Sequence, residues 1–148
     1  MNQEISKVIR GFKLRPDELY IDSKEGFKII KRRGITRIKN QLELDVRLTL
    51  SHASERQAVV MAETTTKSGL VIRTFGEASP LNNLFPYPVS VAQKRAISRL
   101  VIEVSGLMED DWMGEDEIDF FIKDEQQRSK NEKKASKSIE DTKKALGL

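Results

Sequence analysis

The most chemically distinctive stretch of the sequence is VAQKRAISRL, residues 91–100, which carries three cations on a predicted helix. Lys94, Arg95 and Arg99 follow one another with no acidic residue before Glu103. Positions 95 and 99 are one helical turn apart, so the two arginines share a face. A guanidinium group suits phosphate because its planar fork donates two hydrogen bonds at once. The spacing indicates a phosphate-binding ridge, and the alternative is a solvated face on which Arg99 pairs with Glu103.

Other basic residues fall where the predicted sheet brings them towards this helix. They lie on one face of a predicted strand and in a later turn and strand: Arg37, Lys39, Arg47, Lys67 and Arg73. A basic strand face and a basic helix ridge can flank a groove that binds a polyanion. Phe75, Phe85 and Tyr87 flank the same region, where aromatic rings either stack on unpaired bases or simply pack. The predicted DNA-binding residues are therefore these five together with Lys94, Arg95 and Arg99.

Catalytic constellations are absent from the sequence. His52 is the only histidine and there is no cysteine, so no histidine-based triad and no thiolate metal site can form. Residues 109–125 hold nine acidic residues and one lysine, which in principle suits Mg²⁺ but lacks the spacing of a calcium loop. A solvated or protein-docking segment is the stronger interpretation. We therefore predict no catalytic residue, no metal, no cofactor and no enzymatic activity.

The charge distribution along the chain is uneven. Residues 1–100 contain 18 basic and 10 acidic residues, whereas residues 101–148 contain 8 and 13. A basic body followed by an acidic region favours a polyanionic partner. No segment has the apolar length of a membrane span or the apolar core of a signal peptide. The expectation is a soluble cytoplasmic protein without a membrane partner.

The apolar pattern predicts an α+β fold. A helix is expected from the cap at Asp22 or Ser23 to Gly34, followed by one long strand over residues 35–50. In this strand the even positions from 38 to 50 are apolar, with Asn40 as the one exception. Two further strands follow, in QAVVMAETTTKSG and in LVIRTFGEA, the second ending at Gly76. Three strands joined by short turns form an antiparallel meander.

The C-terminal part of the chain is predicted to be helical. A proline-rich crossing leads to a long helix that is capped by Ser90 and stopped by Gly106. The acidic segment is expected to hold a short helix that uses Met113, Ile118 and Phe121. The predicted architecture is thus a β-β-β-α core over residues 1–122, with an N-terminal helix and a charged tail, helical or disordered, over residues 123–148.

The chain combines a meander whose last strand ends in glycine with a following helix of the form A-x-K-R-A-x-x-R. This combination resembles the single-strand annealing proteins of the Rad-fifty-two superfamily. Their phage relatives are called Sak, Erf, RecT and Redβ. The resemblance covers about residues 20–122 and is strongest in GEASPLNNLFPYPVSVAQKRAISRLVIEVSGL. It implies an oligomeric ring or filament that holds single-stranded DNA by its backbone in a basic groove, without ATP. It also implies a phage protein in the bacterial host cytoplasm, with a nuclease or a host single-strand-binding protein as a further partner.

Two other functions compete with annealing of single-stranded DNA. One is a protein-interaction or assembly module whose basic ridge meets its own or a partner's acidic segment. The other is a metal-dependent nuclease that uses the acidic run. Strong salt dependence of DNA binding distinguishes annealing from the assembly module. Loss of nuclease activity with a chelator identifies the metal-dependent nuclease.

Overall fold

The computed structural model describes the backbone of residues 2–148 and the side chains of residues 2–118 and 127–148. The helices are α1 (Gln3–Phe12), α2 (Arg32–Gln41), α3 (Pro88–Val104) and α4 (Ile118–Ala145). The strands are β1 (Leu19–Ile21), β2 (Lys28–Ile30), β3 (Arg47–Ala53), β4 (Ala58–Thr65), β5 (Val71–Ala78) and β6 (Trp112–Gly114). Short 3-10 turns cover Pro16–Glu18, Leu107–Asp110 and Glu115–Glu117.

The predicted α+β architecture is confirmed in its central part. Strands β3, β4 and β5 form an antiparallel meander in that order, and α3 packs on one face of it. Alternate residues of β4 are buried beneath α3, as expected for a strand with one covered face. Their side chains form a core with Ala92, Ala96 and Leu100 of the helix. The β-β-β-α unit of the prediction is therefore present.

Helix α3 lies unusually close to β5 because both surfaces carry small residues at the crossing. A Cβ atom built on Gly76 would clash with the Ala92 carbonyl oxygen and the Ala96 amide nitrogen. Ala92 and Ala96 are four positions apart and therefore stack on one face of the helix. Helix α3 and the sheet are thus brought together by the contact of Gly76 with Ala92 and Ala96, the two alanines of the A-x-K-R-A-x-x-R pattern.

A second, smaller sheet completes the fold and was not predicted. Strand β1 pairs antiparallel with β2, and β2 pairs parallel with β6. This sheet, α1 and α2 enclose a separate core that includes Ile30, Ile38 and Trp112. Val101 and Ile102 of α3 also enter that core. The single helix α3 therefore joins the two halves of the molecule.

The predicted long strand over residues 35–50 is wrong in its first half. Residues 32–41 form α2, and only residues 47–53 form β3. Ile38 and Leu42 fit both the alternation and helical spacing, whereas Ile35 fits only the helix. Burial of Gly34, Ile35 and Ile38 favours the helix. Arg37 and Lys39 consequently lie on α2 and not on a strand face.

The predicted helix from residue 22 or 23 to Gly34 is also wrong. The Asp22 carboxylate accepts hydrogen bonds from the amides of Lys24 and Glu25, which fixes a turn, and β2 follows. Gly34 lies inside α2 and does not end a helix. A Cβ atom there would stand 2.7 Å from Ile30 Cγ2, so glycine is needed for the close packing of α2 on β2.

The remaining elements follow the prediction with shifted boundaries. Strand β5 continues two residues beyond Gly76, and α3 begins at Pro88, before the predicted Ser90 cap, because proline suits the first helical position. Met113 lies in β6, and Ile118 opens α4. The side chain of Phe121 lies outside the described residues. Helix α4 continues across the expected boundary at residue 122 into the charged tail.

Candidate nucleic-acid interface

Arg95 was predicted to lie on an exposed ridge, and this prediction is wrong because the side chain is only 1% exposed. Its guanidinium donates to the main-chain carbonyls of Glu77 at 2.8 Å, Asn82 at 2.6 Å and Asp116 at 2.9 Å. A further bond reaches the Asn82 side-chain oxygen at 3.0 Å. Arg95 therefore ties α3 to the end of β5, to the loop after it and to the segment before α4.

Arg99, which was predicted to bind phosphate, is held by two carboxylates, and neither is Glu103, the partner in the alternative interpretation. It contacts Glu117 through Nε at 2.6 Å and Nη2 at 3.0 Å, and Glu77 through Nη1 at 2.8 Å and Nη2 at 3.0 Å. Partial burial lowers the pKa of Arg99, but the hydrogen bonds to Glu117 and Glu77 outweigh it and raise that pKa above its ordinary value. Because both carboxylates neutralise this guanidinium, the predicted DNA groove loses its second arginine.

The other predicted site residues are spread over the surface. Arg47 and Arg73 lie on one face of the meander and share the Glu63 carboxylate, with Arg47 Nη2 3.1 Å from Glu63 Oε1. Lys67 lies in the turn before β5, 3.7 Å from an oxygen of Glu43. Lys94 is partly exposed on α3, and Lys39 is partly exposed on α2.

The aromatic residues considered for base stacking are also accounted for. Phe85 and Tyr87 stack on each other, with ring centroids 5.6 Å apart and planes inclined by 15°. Phe75 is half-exposed on β5. The structure thus leaves no continuous row of free cations between the meander and α3 in the part of the chain that it describes.

A different basic surface is formed between α2 and the segment that follows α1. A cavity of about 960 Å³ is lined there by one acidic residue, Glu18, and by five basic residues, Lys13, Arg15, Arg32, Arg33 and Arg37. We call this surface the basic cleft. Of the predicted DNA-binding residues, only Arg37 lies in it.

The amphipathic pattern of α2 explains why its cations face the cleft. Gly34, Ile35 and Ile38 pack inwards, and positions 33, 36, 37 and 40 form a polar stripe on the side that lines the cleft. Lys13 closes α1 in the left-handed conformation, with φ 51°, and the chain then turns so that Arg15 faces the same cavity. Two separate segments therefore contribute cations to one surface.

Glu18 fixes the floor of the basic cleft. Its buried carboxylate, 2% exposed, accepts two bonds from Arg37, Nη2 to Oε1 at 2.8 Å and Nε to Oε2 at 3.0 Å. It also accepts the Arg15 amide at 2.9 Å. The hydrogen bonds from Arg37 outweigh the cost of burial and lower the pKa of Glu18 below its usual value. The Glu18 carboxylate and the Arg37 guanidinium thus form an ion pair that carries no net charge.

The other four cations of the cleft carry its net positive charge. Among the side chains that the structure describes, none forms a salt bridge with Lys13, Arg15, Arg32 or Arg33. The cleft is therefore a basic surface, with the neutral Arg37–Glu18 pair at its floor.

Sequence analysis missed the cleft because Arg32 and Arg33 were placed in a helix that ended at Gly34. The signal that could have found them is the spacing of Arg33, Thr36, Arg37 and Asn40, which fits one helix face once Ile35 and Ile38 are assigned to the other.

Neither a metal site nor a membrane-spanning helix is found within the described residues. No group of three or more histidine, aspartate or glutamate side chains among them is arranged to hold a metal ion. A search of the same residues for a helix of the length and apolarity of a membrane span found none. Comparisons with protein-family models, with curated proteins and with solved structures gave no match to this chain.

Proposed function

We propose that this protein binds single-stranded DNA and promotes its annealing without ATP, and that the basic cleft holds the DNA backbone. The observation that carries this proposal is the concentration of five basic residues against one carboxylate around a single cavity. Phosphate contacts give affinity that is independent of sequence. The residues that line the cavity carry no aromatic ring, so the cleft favours contact with phosphates over stacking with bases. A strand held in this way keeps its bases available for pairing.

Self-assembly fits the same proposal because β3 is an unprotected edge strand. It pairs with β4 on one side only, and all seven of its residues are exposed. Leu48 and Leu50 oppose the buried Ala62 and Val60, so they lie on the face that α3 covers elsewhere, yet both remain exposed. An exposed apolar edge is a surface for pairing with another chain. Several copies side by side would present many weak phosphate sites to one strand of DNA.

The second candidate is an assembly module that does not bind nucleic acid. It is favoured by the internal pairing of the cations in the predicted groove, since Arg95 and Arg99 satisfy main-chain carbonyls and carboxylates of their own chain. On this interpretation α3 is a structural element, and the open β3 edge is the functional surface.

An annealing assay separates these two functions. Two complementary oligonucleotides, labelled with a donor and an acceptor dye, are mixed with wild-type protein, with Arg15→Gln/Arg33→Gln, or with Arg56→Gln/Lys67→Gln. The last variant removes the same charge from exposed positions outside the cleft. The proposal expects wild type and the control variant to accelerate pairing and the cleft variant to lose most of that acceleration. Equal rates with and without wild-type protein would favour the assembly module.

A further inference from the structure

An apolar pocket lies beside β5, on the side of the molecule that carries the Leu107–Asp110 turn and β6. It has a volume of about 360 Å³, and its apolar lining is provided by Phe75, Ile102, Met108, Trp112 and Met113. Phe75 and Met108 are half-exposed, at 51% and 54%. Large apolar side chains grouped at one open site indicate a surface that binds another polypeptide.

Acidic residues surround this pocket. Glu103 lines it, and the adjoining turn exposes Glu109, Asp110 and Asp111. Among the described residues these four carboxylates form no salt bridge. The two arginines that reach the pocket are already paired, Arg73 with Glu63 and Arg99 with Glu117. The pocket therefore suits an apolar segment that carries basic residues.

The last part of α4 has this chemistry. Residues 127–148 contain seven basic and three acidic residues, and all of them are exposed. Their large apolar side chains are confined to residues 139–148, the α4 tip: Ile139, Leu146 and Leu148. Lys143 and Lys144 lie between them. A helix that is exposed on every side gains little stability from its own chain, because most helical stability in proteins comes from packing of an apolar face.

The length of α4 determines which copy of the protein the tip can reach. Glu117, which borders the apolar pocket, immediately precedes α4. Leu146 lies 28 residues beyond Ile118, about 40 Å along the helix axis at 1.5 Å per residue. The tip of a continuous helix therefore lies far from the pocket of its own chain.

We infer that the α4 tip docks in the apolar pocket of a second copy of this chain. Ile139, Leu146 and Leu148 would enter the pocket, and Lys143 and Lys144 would face its acidic rim. The two surfaces that meet are different, so each copy still offers one tip and one pocket. Contacts of this kind propagate into a ring or a filament. The inference rests on the self-assembly that is part of the proposed function, and it adds to the β3 edge a second pair of surfaces through which copies would meet.

Cross-linking between single-cysteine variants tests the contact directly, because the chain contains no cysteine of its own. Met108→Cys protein that carries a mass tag is mixed with untagged Leu146→Cys protein and treated with a short bis-maleimide. The inference predicts a cross-linked heterodimer as the main product. Gln57→Cys, in the exposed β3–β4 turn, replaces Met108→Cys as the matched control and is expected to give several-fold less product. Equal yields from the two pairs would overturn the inference.

Sedimentation velocity gives an independent test in solution. Wild type is expected to form species larger than a dimer at tens of micromolar, and Ile139→Asp/Leu146→Asp to weaken association by about 100-fold, as loss of central apolar anchors does. Ser129→Asp/Ser136→Asp changes the charge of the same helix by the same amount and is expected to assemble like wild type. Unaltered assembly of the tip variant would overturn this contact and leave self-assembly in place. A monomeric wild type would contradict both the contact and the proposed assembly. DNA binding is measured on the same samples, so its outcome is known independently of assembly.

Discussion

The main-chain carbonyl of Asn82 accepts a hydrogen bond of 2.6 Å from the buried guanidinium of Arg95. The Asn82 side chain accepts from the same arginine and from the Ser79 amide, so that the first half of the loop after β5 is held against α3. Arg95 therefore has a structural role, even though it stands in the most basic stretch of the sequence. Its neighbour Lys94 has no such network among the described contacts.

The first prediction compares these two adjacent cations. Arg95→Met should lower the free energy of unfolding by about 3 kcal/mol or more, because three main-chain carbonyls lose the donor that the buried guanidinium provides, at about 1–3 kcal/mol each. Lys94→Met, the matched control on the partly exposed position, should change it by no more than about 0.5 kcal/mol. Urea denaturation at one fixed protein concentration measures both. Similar stability of the two variants would contradict the structural role of Arg95.

The second prediction concerns the crossing of α3 over β5. Gly76→Ala should destabilise the protein by several kcal/mol, or prevent folding, because the added methyl group meets main-chain atoms of Ala92 and Ala96 that cannot move without shifting the helix. Gly11→Ala in α1, where a Cβ atom meets nothing within 4 Å, should be stabilising by up to about 1 kcal/mol. The same unfolding measurement compares them. If Gly76→Ala left the free energy of unfolding unchanged, α3 and β5 could not approach each other as closely at Gly76 as the structure shows.

The third prediction concerns the pH dependence of the free energy of unfolding that the Glu18 carboxylate causes. Its pKa is lowered in the folded protein, chiefly by the hydrogen bonds from Arg37, relative to a reference value of 4.5. A carboxylate whose pKa is lower in the folded than in the unfolded protein stabilises the folded state at pH values above its pKa in the unfolded protein. This stabilisation is lost as the pH falls through its pKa in the folded protein. The stability difference between wild type and Glu18→Gln should therefore be constant above about pH 5.5 and shrink on acidification. A difference independent of pH between 6 and 3 would contradict the ion pair.

Sequence reasoning identified β4, β5 and α3 from local patterns. The segment of β4 is rich in β-branched residues such as Val59, Val60 and Thr64, which favour a strand. Leu100, Val101 and Val104 fall at helical spacing. Between residues 35 and 42 the same reasoning failed, since Ile38 and Leu42 fit both periods. The deciding contact is tertiary: Gly34 lets α2 approach Ile30, and no local pattern reveals that proximity.

The candidate site was predicted less well than the fold, for a related reason. Charge alone does not distinguish a cation that faces solvent from one that is paired within its own chain, as Arg95 is with main-chain carbonyls and Arg99 is with carboxylates. Their acceptors, Glu77, Asn82 and Glu117, are distant in sequence and adjacent only after folding. The basic cleft likewise combines α2 with the segment after α1. Its discovery required the correct assignment of α2.

The most direct test of the account is the salt dependence of binding to a labelled single-stranded oligonucleotide, followed by fluorescence anisotropy. Wild type should bind tightly at low salt and lose affinity steeply as salt rises. Arg15→Gln/Arg33→Gln should bind more weakly, and the slope of log K against log salt should be shallower by about 1.4, since each phosphate contact contributes about 0.7. Arg56→Gln/Lys67→Gln should retain the wild-type slope. A folded wild type that does not bind at low salt, or a cleft variant with unchanged affinity and slope, would contradict the assignment of the basic cleft as the DNA-binding surface.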